Sequence, residues 1–139
     1  MAVDRPQMKP TVRRIEEFEW VDLPGHLNGA LTKLLVTTEN SGTPDIDVFL
    51  SSYAPQGYAE EHHHETMSEV FYFLGGSGLF VLDGERHVVG AGTVVFVPPM
   101  TRHAIYNTGF EPLTFLVTGS PPDQTFHERY SEYFVAGAD

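Results

Sequence analysis

Short apolar runs alternate with turn residues along the chain from Thr11 onward, at intervals of roughly eight to twelve residues. Valine, phenylalanine, threonine and tyrosine dominate these runs, a composition that pleated sheets favour. The pattern predicts strands over residues 12–20, 31–38, 46–53, 70–74, 78–82, 86–89, 93–97, 103–107 and 113–118. Short, regularly spaced strands are typical of a sandwich or a barrel, and no internal repeat or linker divides the chain. We therefore predict one all-β domain over residues 11–139.

Three features lie outside the strand pattern. Residues 124–134 (QTFHERYSEYF) place aromatic side chains at helical spacing, which predicts one short C-terminal helix capped by Asp123. Residues 1–10 are polar and contain two prolines, so we expect a flexible arm there. Between two predicted strands, Asp83-Gly84 is the signal of a two-residue hairpin, because both residues tolerate positive φ.

The charge of the chain narrows the classes of partner. Among 139 residues there are 8 basic and 19 acidic side chains, which gives a formal net charge of −11. A surface this acidic repels nucleic acid and anionic lipid, so neither nucleic acid nor a membrane is an expected partner. The sequence contains no apolar run long enough for a transmembrane helix, and its first residues lack the apolar segment of a signal peptide. We therefore expect a cytoplasmic location.

Residues 60–69 (EEHHHETMSE) hold three consecutive histidines between carboxylates. If this stretch is extended, alternation places His62 and His64 on one face and His63 on the other. A short turn then brings Glu69 to the start of the next strand, where its carboxylate can converge with the two imidazoles. His103, at the start of a later strand, is the candidate for a fourth ligand. The chain has no cysteine, so any metal must be held by nitrogen and oxygen.

Two segments resemble the two sequence motifs of the cupin superfamily. Residues 57–76 (GYAEEHHHETMSEVFYFLGG) match the glycine, histidine and glutamate positions of the first motif, with four rather than five residues between its first glycine and its first histidine. Residues 92–107 (GTVVFVPPMTRHAIYN) match the second motif, although Met100 stands where the pattern has glycine. The motifs occur in the expected order and at the separation of a minimal cupin, and the resemblance covers residues 45–118.

This resemblance, to a small single-domain metal-binding cupin, implies both a fold and a metal site. The fold would be a double-stranded β-helix, a conical barrel akin to a jelly roll. Its mouth would hold one divalent transition metal (iron, manganese, nickel, copper, cobalt or zinc) on four side chains: His62, His64, Glu69 and His103. About two of six octahedral positions would stay open for water, substrate or O2.

Alternation along the strands also predicts the wall of a substrate pocket. The predicted wall consists of Phe71, Phe73, Phe96, Ile105 and Asn107. A wall this apolar and aromatic suits a small, partly apolar organic substrate, whereas the alternative is that these side chains only fill the core. Two groups remain without an assigned role. Within or near the motifs, Tyr53, Tyr58 and Arg102 are candidates to orient a substrate, and outside them His26, His87 and His127 are interpreted as ordinary surface or core residues.

Three classes of function remain open. The first is a dioxygenase or related oxidoreductase, in which Glu69 is also a candidate base. The second is a non-redox enzyme (an isomerase, lyase or polyketide cyclase) that uses the ion as a Lewis acid. The third is a binding protein for a small molecule, without catalysis. In each class the resemblance implies a homodimer, in which we expect residues 1–10 and 12–20 to pair with the sheet edge of a neighbour.

Overall fold

Two antiparallel sheets of five strands each make up the barrel in the computed structural model, which describes residues 8–137. The strands are β1 His26–Leu27, β2 Ala30–Val36, β3 Asp47–Tyr53, β4 Tyr58–His62, β5 Ser68–Gly75, β6 Ser77–Leu82, β7 Glu85–Gly90, β8 Val94–Val97, β9 His103–Asn107 and β10 Leu113–Ser120. One sheet has the order β2-β3-β10-β5-β8, and the other has the order β1-β4-β9-β6-β7. The all-β prediction is confirmed.

Aromatic side chains fill the main core. Tyr53, Phe73, Phe80 and Phe115 are each no more than 1% exposed. The rings of Phe73 and Phe115 lie 4.9 Å apart between their centroids. Burying one such ring stabilises the fold by about 1.5–3 kcal/mol. This gain favours the inward orientation of Phe71 and Phe73, which occupy alternate positions along β5.

Eight of the nine predicted strands are confirmed, with ends that agree within two residues. β2 ends earlier than predicted because Thr37 caps a short helix, α1 Thr38–Ser41, and its hydroxyl accepts a hydrogen bond from the backbone N–H of Asn40 at 3.1 Å. The predicted hairpin joins β6 to β7. Asp83 and Gly84 both adopt positive φ there, at 46° and 84°.

The strand predicted over residues 12–20 is wrong. That segment is irregular apart from a 3-10 helix at Ile15–Glu17. Its apolar residues do not form a buried face: Val12 is fully exposed and Trp20 is 43% exposed. Lys33 of β2 holds the segment instead: its Nζ donates to the carbonyl of Ile15 at 2.8 Å and lies 4.8 Å from the centroid of the Trp20 ring.

Two strands were not predicted. β4 has the sequence YAEEH, in which only Ala59 is buried, so it lacks the apolar alternation of a typical strand. β1 has two residues and pairs with β4. The omission of β4 matters for function, because this strand carries His62.

The C-terminal segment forms two helices rather than one. α2 spans Gln124–Arg129 and α3 spans Ser131–Gly137, with Tyr130 out of helical geometry between them. The predicted cap is confirmed: the carboxylate of Asp123 accepts a hydrogen bond from the N–H of Phe126 at 3.2 Å. The helices pack against β2 and β3 through a second small core of Leu23, Leu34, Phe49, Phe126, Tyr133 and Phe134.

Residues 1–7 of the predicted arm lie outside the described residues, so the arm stays a prediction. Of the remainder, Lys9 donates its backbone N–H to the carbonyl of Ser41 at 2.9 Å. Within residues 8–137, none of the helices combines the length and the apolar character needed to cross a membrane.

Candidate metal centre

Four side chains from neighbouring segments converge at one point. His62 ends β4, His64 follows it in the loop, Glu69 lies in β5 and His103 begins β9. Each offers one ligand atom, and these atoms all lie within 4.8 Å of one another. Donors on opposite sides of a metal at roughly 2.1 Å would be roughly 4.2 Å apart, so a spread of this size fits one ion. These are the four ligands predicted from the sequence; metal binding itself stays a prediction.

The pairing of strands explains why the three imidazoles meet. His62 and His103 are direct partners across β4 and β9, and their ring centroids lie 4.2 Å apart. His64 lies on the same side, with its ring 5.2 Å from that of His62. His63 is exposed, as alternation predicts.

Two turns support this arrangement. A Cβ atom at Gly57 would lie 2.8 Å from the carbonyl oxygen of Ala54, so glycine is required where the chain enters β4. The turn after β8 places Met100 at a φ of 67°, a left-handed conformation that favours glycine. The N–H of Met100 donates to the carbonyl of His64 at 2.7 Å, which ties this turn to the site.

Each imidazole has an oxygen acceptor on the side away from the centre. The Nδ1 atom of His62 lies 2.7 Å from the carbonyl oxygen of Glu60, and that of His103 lies 2.9 Å from the carbonyl oxygen of Thr101. The Nδ1 atom of His64 lies 2.8 Å from a carboxylate oxygen of Asp123. Because these oxygens can only accept, each Nδ1 carries the proton and each Nε2 presents a lone pair to the centre, as metal-binding histidines do.

The centre holds two buried polar atoms that lack a hydrogen-bond partner among the described residues: Oε1 of Glu69 and Nε2 of His103. They lie 3.1 Å apart, but they do not form a hydrogen bond with each other. An unpaired buried polar group costs about 1–3 kcal/mol. A carboxylate oxygen and an imidazole lone pair are both satisfied by a cation between them, so the donor set fits a metal ion.

The charges of the group favour an ionised carboxylate. Burial opposes ionisation of Glu69, but the nearby imidazoles of His103 and His64 outweigh it and hold the pKa of Glu69 at about 2. Burial, with a smaller contribution from His103, lowers the pKa of His62 to about 4. For His64, burial is outweighed by Glu69 and Asp123, which raise its pKa. A metal ion would therefore compete with a proton at His64.

Two spaces with shared lining residues adjoin the centre. An inner cavity of about 80 Å³ lies inside the barrel, with Glu69 on its wall. An outer cleft of about 740 Å³ lies between residues 60–66 and α2. Although the cleft is larger, the inner cavity is the space that reaches Glu69, a candidate ligand. The residues that line both spaces are His26, His62, His64, Asp123 and Phe126.

The predicted pocket wall is correct only in part. Phe71 and Ile105 line the inner cavity. Phe73 and Asn107 point inward but lie away from the cavity: Phe73 packs in the core, and the amide of Asn107 donates to the carbonyls of Tyr53 and Glu111, both at 2.8 Å.

The inward position predicted for Phe96 is wrong, because Phe96 is 59% exposed. In β8 the side chains of Val95 and Val97 face the core, whereas those of Val94 and Phe96 face outward. Of the three residues without an assigned role near the motifs, Tyr53 lines the inner cavity. Tyr58 stacks on Tyr106, with 5.6 Å between the ring centroids, and Arg102 pairs with Glu61 at 3.1 Å.

Several polar residues of the inner cavity were missed. Asp47 accepts a hydrogen bond from Nε2 of His127 at 2.8 Å through Oδ2, while its Oδ1 is buried without a partner among the described residues. His26 points Nδ1 at the carbonyl oxygen of Pro24 at 3.0 Å, and burial lowers its pKa. Both residues lie outside the recognised motifs, and no local pattern marks them.

Comparison with known proteins identifies the family. A family model described as a cupin domain matches residues 49–119, half of the chain. The chain belongs to the cupin family. The matched range contains all four candidate ligands of this cupin and ends before Asp123 and the C-terminal helices.

Known proteins resemble this cupin over different lengths. An uncharacterised protein of Methanocaldococcus jannaschii is 43% identical over 61 residues, which cover 44% of the chain and 49% of that protein. A glucose-6-phosphate isomerase of Thermococcus kodakarensis is 40% identical over 112 residues, covering 77% of the chain and 53% of the isomerase. The cupin thus spans about half the length of these curated relatives.

A solved structure confirms the double-stranded β-helix. The crystal structure of a predicted oxalate decarboxylase from Thermotoga maritima superposes with a TM-score of 0.72 at 26% sequence identity. The alignment covers 81% of this cupin and 100% of the solved chain.

Proposed function

We propose that this cupin is a metal-dependent enzyme that acts on a small organic molecule, with one divalent transition metal held by His62, His64, Glu69 and His103. The observation that carries the proposal is a pair of buried atoms, Glu69 Oε1 and His103 Nε2, that have no hydrogen-bond partner within residues 8–137 and belong to a four-donor group beside a cavity. A bound transition metal would supply Lewis acidity and, for a redox-active ion, a place for O2 beside a chelated substrate.

The cavity limits the substrate class. Its wall is largely apolar, with Phe71, Ile105 and Phe115 among the lining residues, and Asp47 adds one acceptor oxygen. We infer a substrate that enters through the outer cleft, reaches the ion with an oxygen atom, and presents a hydroxyl or amine donor to Asp47. A buried, largely apolar wall keeps bulk water away from the reacting atoms.

The first candidate reaction is oxidative, of the dioxygenase or oxidoreductase type. A metal held by three imidazoles and one carboxylate would have coordination positions available for both substrate and O2. The chain's own part would be to hold the substrate against the donor group and to exclude water. Glu69 would contribute charge more than proton transfer, since a carboxyl group with a pKa of about 2 is a weak base.

The second candidate is a non-redox isomerase, lyase or cyclase. The similarity to a glucose-6-phosphate isomerase over 77% of the chain favours it. In such a reaction His26 is the better base: its Nδ1 is engaged by Pro24, and burial keeps the ring neutral, so Nε2 is available to accept a proton.

Elemental analysis of natively purified protein, combined with an O2 electrode, separates the candidates. Iron, manganese, copper or nickel together with substrate-dependent O2 uptake supports the oxidative reaction. Zinc without O2 uptake would rule out the oxidative reaction and favour the second candidate. Ligand binding without turnover of any tested substrate would indicate a binding protein. The absence of any metal affinity would overturn the proposal as a whole.

A homodimer is also part of the proposal. The outer face of β5 and β8 exposes an apolar group of side chains, Val70, Tyr72, Leu74, Val94 and Phe96. Val70 pairs with Phe96, and Tyr72 pairs with Val94, so the group is continuous. β8 is also an edge strand, and an edge strand is complementary to its own copy about a two-fold axis. A small-molecule ligand and a second copy are therefore the expected partners.

A further inference from the structure

Asp123 lies between β10 and α2, outside the range matched by the family model, and it contacts a candidate ligand. We propose that Asp123 is a positioning residue: its carboxylate holds His64 in the tautomer and orientation that a metal requires, and thereby makes the docked C-terminal helix a part of the metal centre. This inference rests on the proposed metal-dependent function.

Both carboxylate oxygens of Asp123 have defined partners. Oδ2 lies 2.8 Å from Nδ1 of His64, and Oδ1 accepts from the N–H of Phe126 at 3.2 Å. The contact with His64 is well shielded, with side-chain exposures of 12% for His64 and 25% for Asp123. One side chain therefore caps α2 and orients a ligand at the same time. An ionised acceptor of this kind makes a stronger hydrogen bond than a neutral one.

The other two histidines are oriented differently. His62 and His103 each use a backbone carbonyl two residues earlier in their own segment. Those acceptors move with the strand and cannot be lost separately. His64 depends instead on a residue 59 positions away, held in place by the packing of another element. Its Nε2 lone pair thus points at the centre only while α2 is docked.

A consequence of this contact is a reciprocal coupling. If docking of α2 orders His64 for metal binding, then metal binding must stabilise the docking of α2 by the same free energy. Part of the rise in unfolding temperature on metal binding should therefore depend on Asp123, beyond the ordinary stabilisation that any ligand gives to the folded state.

Two substitutions separate the role of helix cap from the role of positioning. In Asp123→Asn the amide has one acceptor and one donor, so it cannot accept from His64 and from Phe126 at once; donation to Nδ1 would select the wrong tautomer. In Asp123→Ser the hydroxyl remains a good cap but does not reach His64. Asp45→Asn, at an exposed position, controls for the loss of one negative charge.

The test measures Co²⁺ affinity of the full chain by competition with a chromophoric chelator, together with the visible spectrum of bound Co²⁺. We expect about a 10- to 100-fold loss of affinity in Asp123→Asn and Asp123→Ser, the range typical of partners that orient ligands. The spectrum should change in both variants, and Co²⁺ should raise the unfolding temperature less than in the wild type. Metal-free Asp123→Ser should unfold close to the wild type, and Asp45→Asn should behave as the wild type throughout.

Affinities within about twofold of the wild type in both Asp123 variants would overturn the inference, reduce Asp123 to a helix cap, and leave the proposed function standing. A wild type that binds no Co²⁺ would instead overturn the proposed metal function, and this inference with it. The two failures can be distinguished because the first requires a wild type that binds Co²⁺, whereas in the second the wild type does not bind Co²⁺.

Discussion

At the scale of single residues, Met100 departs from the cupin pattern, which has glycine at this position, and its backbone conformation shows the cost of that departure. The turn after β8 requires a positive φ whichever residue occupies it, since its N–H must reach the carbonyl of His64. A non-glycine residue in the left-handed region costs about 1–2 kcal/mol. This cupin therefore carries a left-handed residue in the turn at an energetic cost, and the four candidate ligands converge without a glycine there.

Replacing Met100 by glycine should stabilise the protein. Relief of the left-handed conformation gains about 1–2 kcal/mol, and the greater freedom of glycine in the unfolded chain costs about 0.5–1 kcal/mol, so a net gain of up to about 1.5 kcal/mol is expected. Little packing is lost because Met100 is 61% exposed. Urea unfolding measures the difference. Met100→Ala, which keeps the Cβ atom and hence the strain, should show no gain; an equal gain in both variants would refute the explanation.

The histidine run offers a matched pair of substitutions for metal binding. His62→Ala removes a proposed ligand, whereas His63→Ala removes the exposed neighbour on the opposite face. Metal content after equilibrium dialysis should fall to near zero in the first variant and stay at the wild-type value in the second. Equal loss in both would show that the site is an unordered histidine cluster rather than the four-donor group.

At the scale of elements, a buried ionic cluster attaches α2 to the barrel. His127 of α2 lies between Glu39 of α1 and Asp47 of β3, at 3.0 Å and 2.8 Å. Its ring also stacks on Phe134, with 3.8 Å between the ring centroids. Burial opposes protonation of His127, but the two carboxylates outweigh it and raise its pKa to about 8. The charged imidazolium is therefore the form that holds the helices in place.

This cluster predicts a loss of stability in mild alkali. The pKa of His127 rises from the ordinary 6.5 to about 8 on folding, so its contribution is complete below about pH 6.5 and is lost as the pH rises through about 8. A rise of this size corresponds to about 2 kcal/mol. Urea unfolding of metal-free protein between pH 6 and pH 9 measures it, with His127→Gln as the reference. The free energies of wild type and variant should converge as the pH rises; a constant difference would contradict the prediction.

Elements and ligands differed in how far the sequence could predict them. Strands with an apolar alternation, such as β5 and β10, were predictable because burial of one face is a local signal. The convergence of the four candidate ligands was predictable because strand alternation and a family motif agree on these residues. β4 was not, since its polar residues serve the site and the solvent rather than the core. The contact between His64 and Asp123 was not either, because it joins residues 59 positions apart and arises only when α2 docks.

At the scale of the whole molecule, the continuous apolar face on β5 and β8 contrasts with the net charge of −11. Large exposed apolar patches usually mark an interaction site. The homodimer predicted from the sequence through residues 12–20 loses that structural basis, because this segment is not a strand. The face on β5 and β8 takes its place as the candidate interface.

Replacement of Phe96 by serine should weaken the dimer. Phe96 lies on the edge strand within the apolar face, and its loss removes one of the largest side chains there. Sedimentation equilibrium at micromolar concentrations should show a shift from dimer to monomer. Phe110→Ser is the control, since Phe110 is 99% exposed but lies outside this face. A wild type that sediments as a monomer, or an equal effect of both substitutions, would rule out this interface.

The position of Asp123 beyond residue 119 has a consequence for how such proteins diverge. The barrel supplies all four candidate donor atoms, whereas the segment after residue 119 supplies the contact between Asp123 and His64. Changes in this C-terminal segment can therefore alter the metal affinity of the site without replacing any ligand. Exchanging only the C-terminal segments between related cupins would be a way to change metal affinity while every ligand stays the same.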